Sequence, residues 1–517
     1  MIKYIFVILF GISFFECFLR QVHMFQLNHY KNSFQMSWIR KNKKKLLLNT
    51  ALYILAIIMY VLNIKWVSSI SVIAIYGILI FTNISKKAKK PLVYTNRVKR
   101  LIIVAALLIT LVSIITYNLC DFGGMFIAML IMNILVPLFV FICNVINIPI
   151  NKAINNWYIN DAKRIIKEMP NLITIGVTGS YGKTSVKTFL YKLLSAKYNV
   201  LIAPENYNTE LGVTRTIREH LRATHEIFVC EMGADEVGEI KSICDIVHPK
   251  YGVITSIGPQ HLETFGSMQN IINTKFELEQ SLPEDGIVFL NYDNEYIINR
   301  KIDRKVVKYG INNTSMCDYF AYDISTSNKG LSFKIKDLDG QEYTFETKLI
   351  GSHNVLNLVG AISVARNLGI PMRVLVQRVR TLESVPHRLQ VIKRGNDVII
   401  DDAYNSNPSG SSYALDALSE FDGLKILVTP GMIELGEKQY ECNYNFGVKA
   451  SKICDYIVLV GKEQTKPIYE GVLSTEYNKQ NLIVTDDINE GLDFVWKIKS
   501  YGKSKIVLLE NDLPDNY

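Results

Sequence analysis

The sequence predicts an α-helical membrane region followed by α/β: a phosphate-loop parallel-sheet domain with a small β insert, then a second, Rossmann-like α/β domain. Three observations predict it. Five long apolar runs fall inside the first 150 residues; apolar and amphipathic stretches alternate from Leu172 onward; and a glycine turn joins the first strand of that series to its first helix.

The apolar runs cover about 2–19, 47–63, 67–84, 101–117 and 125–148. About 20 helical residues cross a hydrocarbon core, and these runs approach that length. Only Asn63–Trp66 separates the second from the third, which reads as a helical hairpin. The first lacks a small-residue cleavage site and reads as an uncleaved anchor. Lys and Arg set the orientation. Residues 1–150 hold 16 Lys/Arg and two acids, Glu16 and Asp121, a balance of +14 against +9 for the whole chain, which leaves 151–517 at −5. The basic segments 20–46 and 85–100 are expected in the cytoplasm. The N-terminus then lies outside, and five spans bring residue 150 back inside. The expected location is the plasma membrane, multi-pass, with the lipid bilayer as a partner and the catalytic domains cytoplasmic.

This placement of charge argues for membrane topology and against a nucleic-acid partner. Polar residues within the runs are few (Asn49, Asn133, Asn144), and no intramembrane charge relay of the kind a transporter uses is present. The eight cysteines show no metal-ligand spacing and read as reduced thiols.

From Leu172, solidly apolar runs such as LITIGVT, IFVCEM and YGVITSI alternate with amphipathic stretches. That is the pattern of a parallel sheet covered on both faces. Residues 318–350 alternate with period two around Asn-Lys-Gly and Asp-Gly, which predicts a small antiparallel hairpin insert. After Pro386 a second series begins (VIIDDA, LKILVTPG, YIVLVG, NLIVT, KIVLLEN). The expected domains are 1–150, 151–384 and 385–517.

The strand LITIGVT leads into Gly179-Ser180-Tyr181-Gly182-Lys183-Thr184-Ser185 and then a helix, the context in which a phosphate loop is credible. Glycines permit close backbone approach to phosphate, and the helix N-terminus offers free N–H groups. Lys183 is expected on the β/γ-phosphates of ATP and the Thr184 hydroxyl on Mg²⁺.

The loop T-G-S-x-G-K-T-S resembles that of the Mur ligases, the ATP-dependent amide-forming enzymes of peptidoglycan synthesis. The likeness extends over nearly all of 172–440: Asn206–Gly212, Glu231-Met232-Gly233-Ala234, Gly258–Ser267 with Lys275 after it, Gly351–Asn357, Pro386-His387-Arg388, Asp401–Pro408 and Gly431–Gly436. The wording is closest to the MurF branch. The resemblance implies that a carboxylate is activated as an acyl phosphate and captured by an amine. It implies ATP at Gly179, Ser180, Gly182, Lys183, Thr184, Ser185, Asn354, Arg388 and Asp402. It places Mg²⁺ at Thr184, and a second Mg²⁺ at Glu231, His261 and a carbamylated Lys275. Lys183, Lys275, His261, Glu231 and Arg388 carry the chemistry. Read without it, Glu231 ends an apolar strand where open sheets place the ligand crevice, with a solvated strand end as the bland alternative; His261 is as readily a satisfied loop histidine as a ligand; and Lys275 is a surface salt-bridge lysine. Tyr404 packs near the base or is a core aromatic.

Three departures stand out. Five spans stand where the family has a uridine-nucleotide domain. Thr429-Pro430-Gly431 replaces V-G-D. The end VLLENDLPDNY replaces a K-G-S loop, with Glu510 and Asp512 reversing that lysine's charge. An altered acceptor is therefore expected: a cell-wall precursor, lipid-linked at the bilayer, joined to an amino acid or dipeptide. A poly-γ-glutamate-type or other envelope ligase is the alternative, and an ATP-driven transporter or regulator the reading of another class.

Overall fold

The computed structural model describes residues 2–28, 30–41, 50–51, 53–55, 57–58, 61–62, 91–204, 207–404 and 406–512. These fall into two compact units that divide at Asn156/Trp157.

In the first unit, the helix Ile2–Leu27 runs well past the expected end at residue 19. Its buried stripe explains why: Phe10, Phe14, Phe18, Val22 and Phe25 recur at helical spacing across Arg20. The helix Asn32–Lys41 occupies part of the basic segment expected as a loop. The next helix, Asn96–Ile134, is capped by Thr95, whose hydroxyl accepts from the Val98 N–H. The expected connection at 118–124 shrinks to two non-helical residues, Cys120 and Asp121. The chain then doubles back: Arg97 and Arg100 donate to Asn144 (3.5 Å) and Asn151 (2.6 Å) of the helix Val136–Lys167. The fifth apolar run is not one helix. It is interrupted at Leu135, because Pro137 has no N–H to continue the ladder. Asn96–Ile134 and Val136–Lys167 are long and apolar enough to cross a membrane, by length and composition alone. The expected span at 67–84 lies outside the described residues, as does about half of that at 47–63.

In the second unit, nine strands form one sheet in the order β2-β3-β1-β4-β5-β6-β7-β8-β9. They are β1 (Ile173–Thr178), β2 (Val200–Ile202), β3 (Ile227–Glu231), β4 (Tyr251–Ile254), β5 (Ile287–Asn291), β6 (Lys305–Gly310), β7 (Tyr319–Ser327), β8 (Gly330–Lys336) and β9 (Glu342–Thr347). Every residue of β3 and β5 is buried, as expected of a sheet covered on both faces. The predicted hairpin insert is instead a three-stranded antiparallel meander. It is not separate, because β7 pairs in parallel with β6 and extends the main sheet.

The second sheet comprises β10 (Gln390–Arg394), β11 (Asp397–Asp402), β12 (Leu424–Thr429), β13 (Tyr456–Val460), β14 (Leu482–Thr485) and β15 (Lys505–Glu510), ordered β10-β11-β15-β12-β13-β14. Only the β10–β11 pair is antiparallel. In both sheets, the carboxyl ends of the central strands deliver the residues that the sequence singles out.

Candidate active site

β1 lies between β3 and β4, with Val177 opposite Glu231 and Thr178 opposite Ile254. The loop after β1 therefore emerges beside the end of β3. Gly179 (φ +149°) and Gly182 (φ +81°) hold conformations that side chains resist. A Cβ on Gly179 would overlap the Thr255 hydroxyl; one on Gly182 would stand 2.6 Å from Asn357 Oδ1. Neighbouring loops pin this turn. The Ser180 N–H donates to Ser256 O (2.6 Å), its hydroxyl donates to Gly258 O (2.9 Å), and the Thr255 hydroxyl donates to Tyr181 O. Ser180 thus holds the loop in place with groups the sequence assigns to ATP.

The helix Lys183–Leu194 follows, with Val186, Phe189, Leu190, Leu193 and Leu194 buried beneath it. Lys183 Nζ donates to the loop carbonyls of Gly179 (2.7 Å) and Ser180 (3.1 Å). Burial pulls its pKa down to about 8, against the opposing pull of Glu231. The Thr184 hydroxyl donates to Glu231 Oε1 at 3.1 Å. Two of the predicted Mg²⁺ ligands from separate elements therefore already touch. Ser185 sits in the first turn of the same helix.

Glu231 is no solvated strand end; it is 2% exposed. Lys187 Nζ lies 3.0 Å from its Oε2, and Asn208 donates to its Oε1 at 3.2 Å. Burial works to raise its pKa, but Lys187 and Lys183 outweigh that and leave it lowered, so the group is an anion. Sequence reasoning missed Lys187. The signal was present: Lys187, Leu190 and Leu194 share one face of the helix, and a lysine in an apolar stripe needs a buried anion.

Lys275 is likewise buried at 2% exposure, and not a surface lysine. The helix Met268–Gln280, capped by Ser267, turns it inward along with Ile271 and Leu278. Its Nζ lies 5.7 Å from the Phe265 ring. Among the described residues it has no hydrogen bond or ion pair. Burial first, and Lys183 second, bring its pKa down to about 7, so much of it is the neutral amine near neutral pH.

His261 takes a left-handed conformation (φ +51°). Its Nδ1 is 2.7 Å from Glu434 Oε2, and its Nε2 is 3.6 Å from Asp235 Oδ1. Its recorded partners are these two carboxylates, neither of which sequence reasoning selected, and not Glu231 or Lys275. Among the described residues no three His, Cys, Asp or Glu side chains gather into a metal cluster. A divalent cation still suits the set. Hard oxygen donors from Thr184 and Glu231 already touch, and phosphate oxygens would add to them.

Asn354 is buried, with its amide N–H₂ donating to Ile350 O at 2.8 Å. Asn357, from the same helix, stands over Gly182, a contact the sequence motif contained but which was not selected. Arg388 lies 4.2 Å from the centre of the Tyr404 ring. Tyr404 is 39% exposed, which corrects the core-aromatic alternative. The Arg388 charge acts on Lys183, His353 and Asp402.

Asp402 Oδ1 accepts from the Leu389 N–H (3.0 Å) and stands opposite Glu510 in the β11–β15 register. Glu510 does not present a reversed charge to solvent. It is 1% exposed and accepts from the Ser406 hydroxyl at 2.7 Å. Burial pushes its pKa up, and Asp402 pushes it further, well above the carboxylate range, so it retains its proton. Beside it, Asn511 accepts from Ser406 N (3.1 Å) and donates to Gly431 O (2.6 Å). Two of the departures, at 429–431 and at the chain's end, are therefore in contact. Asp512 is exposed.

Comparison with known proteins places this geometry. Residues 177–365 match the Mur ligase middle domain, and 387–509 match the Mur ligase, glutamate ligase domain. The UDP-N-acetylmuramoyl-tripeptide–D-alanyl-D-alanine ligase of Escherichia coli (strain K12) is 31% identical over 295 residues, covering 56% of this chain and 64% of that protein. The protein of the same name from Bacillus subtilis (strain 168) is 33% identical over 279 residues, 53% of this chain and 59% of that one. The chain thus spans less than two thirds of either relative's length. Among solved structures, MurF from Acinetobacter baumannii superposes with a TM-score of 0.63 at 26% identity, covering 69% of this chain and 77% of that one. The MurF ligase of Thermotoga maritima in complex with ADP gives 0.61 at 26% identity, covering 69% and 80%. With both domains matched in order, and with solved ligases superposing on them, the chain belongs to the Mur ligase family.

Proposed function

We propose that the chain is an ATP-dependent, ADP-forming amide ligase of the MurF type, acting on a cell-wall precursor. The observation that carries this reading is Lys183 on the glycine turn, the Thr184–Glu231 contact beside it, and a buried Lys275 that feels the Lys183 charge.

In this reading, a precursor carboxylate oxygen attacks the γ-phosphorus of ATP as the bond to the β–γ bridging oxygen breaks, leaving ADP and an acyl phosphate. An amine nitrogen then attacks the acyl carbon. Phosphate leaves with the bonding pair, and the amine loses a proton. Catalysis rests on positioning and on neutralising charge. Lys183 exchanges its loop carbonyls for phosphate oxygens. Arg388, on the second sheet's side of the site, faces the same phosphates. Asp402 and Asn354 orient the nucleoside. Thr184 would hold one Mg²⁺, and Glu231, His261 and a carbamate on Lys275 a second; when bound, these ions supply Lewis-acid neutralisation of phosphate charge. The neutral Lys275 amine is the form that adds CO₂, losing a proton to become the carbamate.

The named relatives suggest a UDP-linked muramoyl peptide and D-alanyl-D-alanine as the substrates. The apolar helices of the first unit support a membrane-bound enzyme, multi-pass and with a cytoplasmic catalytic unit, whose acceptor is presented at the bilayer. The deciding experiment incubates the detergent-solubilised chain with ATP, Mg²⁺, D-alanyl-D-alanine and either a UDP-linked or a lipid-linked precursor, then weighs the products. A dipeptide-sized mass gain with one equivalent of ADP is expected. ATP hydrolysis with no amide product from either precursor would sink the reading.

A further inference from the structure

The first unit holds positive charge that its own residues do not answer. Arg97 and Arg100 lie one turn apart at the start of the helix Asn96–Ile134, and both are half-buried. Residues 1–150 contain two acids, Glu16 and Asp121. At 1.5 Å per residue, Asp121 is about 36 Å up the same helix from Arg97. Glu16 is about 15 Å back along the first helix from Gln26, which donates to the Tyr30 hydroxyl beneath the Arg97 guanidinium. Each arginine has instead a neutral partner on the helix Val136–Lys167: Asn144 for Arg97 and Asn151 for Arg100. A guanidinium offers five N–H donors. Among the described residues each of these two makes a single hydrogen bond, and the Nε–H of both is buried with no acceptor.

The amides beside them point the same way. Asn151 is 9% exposed; its Oδ1 is taken by Arg100, and its N–H₂ is buried with no acceptor. Asn144, Asn147 and Asn151 share one helix face at i, i+3 and i+7. Asn144 donates to Asn32 at 3.2 Å, which ties this face to the helix Asn32–Lys41. Asn147 donates to Cys143 O and keeps Oδ1 unpartnered, an acceptor that suits a hydroxyl. Donors therefore outnumber acceptors at a junction of three helices, and no carboxylate balances them. Half-buried cations in apolar surroundings are costly unless an anion meets them. Guanidinium forks match phosphate oxygens. In the multi-pass reading this junction lies at the cytoplasmic face, where basic pockets between helices take phosphate headgroups.

We propose that Arg97, Arg100 and the Asn151 amide form a site for a phosphate-bearing anion, the headgroup of an acidic lipid. The lipid as its source rests on the membrane-bound reading above; the site itself rests on the two arginines and their neutral partners.

The test is native mass spectrometry of the full-length, detergent-solubilised chain with phosphatidylglycerol, phosphatidylcholine or inorganic pyrophosphate added. Phosphatidylglycerol is expected to bind about fivefold or more tighter than phosphatidylcholine, whose phosphate charge is offset by its own choline. Arg97→Gln and Arg100→Gln should each weaken it about tenfold, as the loss of a charge-assisted hydrogen bond does. Lys99→Gln removes an exposed, screened charge from the same turn and should change it by less than about twofold. Pyrophosphate bound with the same arginine dependence, and no selectivity between the lipids, would keep the site and make its ligand a soluble phosphate. Equal binding of the two lipids with no bound pyrophosphate would overturn the proposal in the unaltered protein, whatever the variants do. So would a loss in Lys99→Gln as large as in Arg100→Gln, because positive charge alone would then suffice. The membrane reading fails separately: a chain that carbonate extracts, yet that binds pyrophosphate through these arginines, would sink that reading and leave the site standing.

Discussion

At the scale of single residues, Lys275 shows how burial makes a reactive group. Burial outweighs the nearby acids Asp235, Glu239 and Glu277 and brings the Lys275 pKa down to about 7, so that the neutral amine is available to react. If the carbamate is the working form, Lys275→Ala should lower ATP-dependent ligation roughly 10²–10³-fold, the usual cost of removing a charge-stabilising group. Short carboxylic acids added to the assay should restore part of it. Full activity without rescue would remove Lys275 from the site. Glu510 is the opposite case, a carboxyl kept protonated by burial and by Asp402. Its folded pKa is raised, so its contribution to stability is fully present below the unfolded value and is lost as pH rises through the folded one. Glu510→Gln cannot ionise. Its melting temperature should gain on the unaltered protein as pH rises from the ordinary carboxylate range toward the raised folded value, by roughly 2–4 °C per kcal/mol relieved. A difference that is constant with pH would show that Glu510 is ionised in the fold.

At the scale of elements, the glycine turn between β1 and the helix Lys183–Leu194 is clamped by the segment after β4. Gly179→Ala would force a side chain onto Thr255 at φ +149°. At 1–3 kcal/mol for such strain, ATP-analogue binding measured by calorimetry should weaken roughly 10-fold or more. Wild-type affinity would mean that this turn does not carry the phosphates. The parallel series from β1 to β5 was legible because strands buried on both faces are apolar throughout. The meander β7–β9 was legible only as a period of two. Its union with the main sheet depends on the pairing of β6 with β7, a long-range contact that local periodicity does not encode. The ends of the apolar runs were misjudged for a related reason: Arg20 read as a boundary, whereas the phenylalanine stripe carries the helix through it.

At the scale of the whole molecule, the two units pose separate questions. The catalytic unit carries the matched family domains, while the N-terminal part of the chain carries, among the described residues, two helices long and apolar enough to cross a membrane. If those helices span, the full chain should sediment with membranes and resist alkaline carbonate extraction. Release into the soluble fraction by carbonate would contradict the multi-pass reading.

The sequence by itself determined the strand–helix alternation, the glycine turn with its Lys-Thr pair, and the order of the family motifs, because each is a local pattern of residue types. The partners follow from long-range packing. It set Lys187 and Asn208 on Glu231, Glu434 on His261, and Glu510 inward against Asp402. Each of these contacts joins residues far apart in the chain except Glu231 with Asn208, and even that one crosses from a loop to a strand. Burial and pairing are properties of the packed fold. A carboxylate's charge state follows from what surrounds it: Glu510 reads in the sequence as a reversed charge, whereas in the fold it is buried with its pKa pushed up by burial and by Asp402.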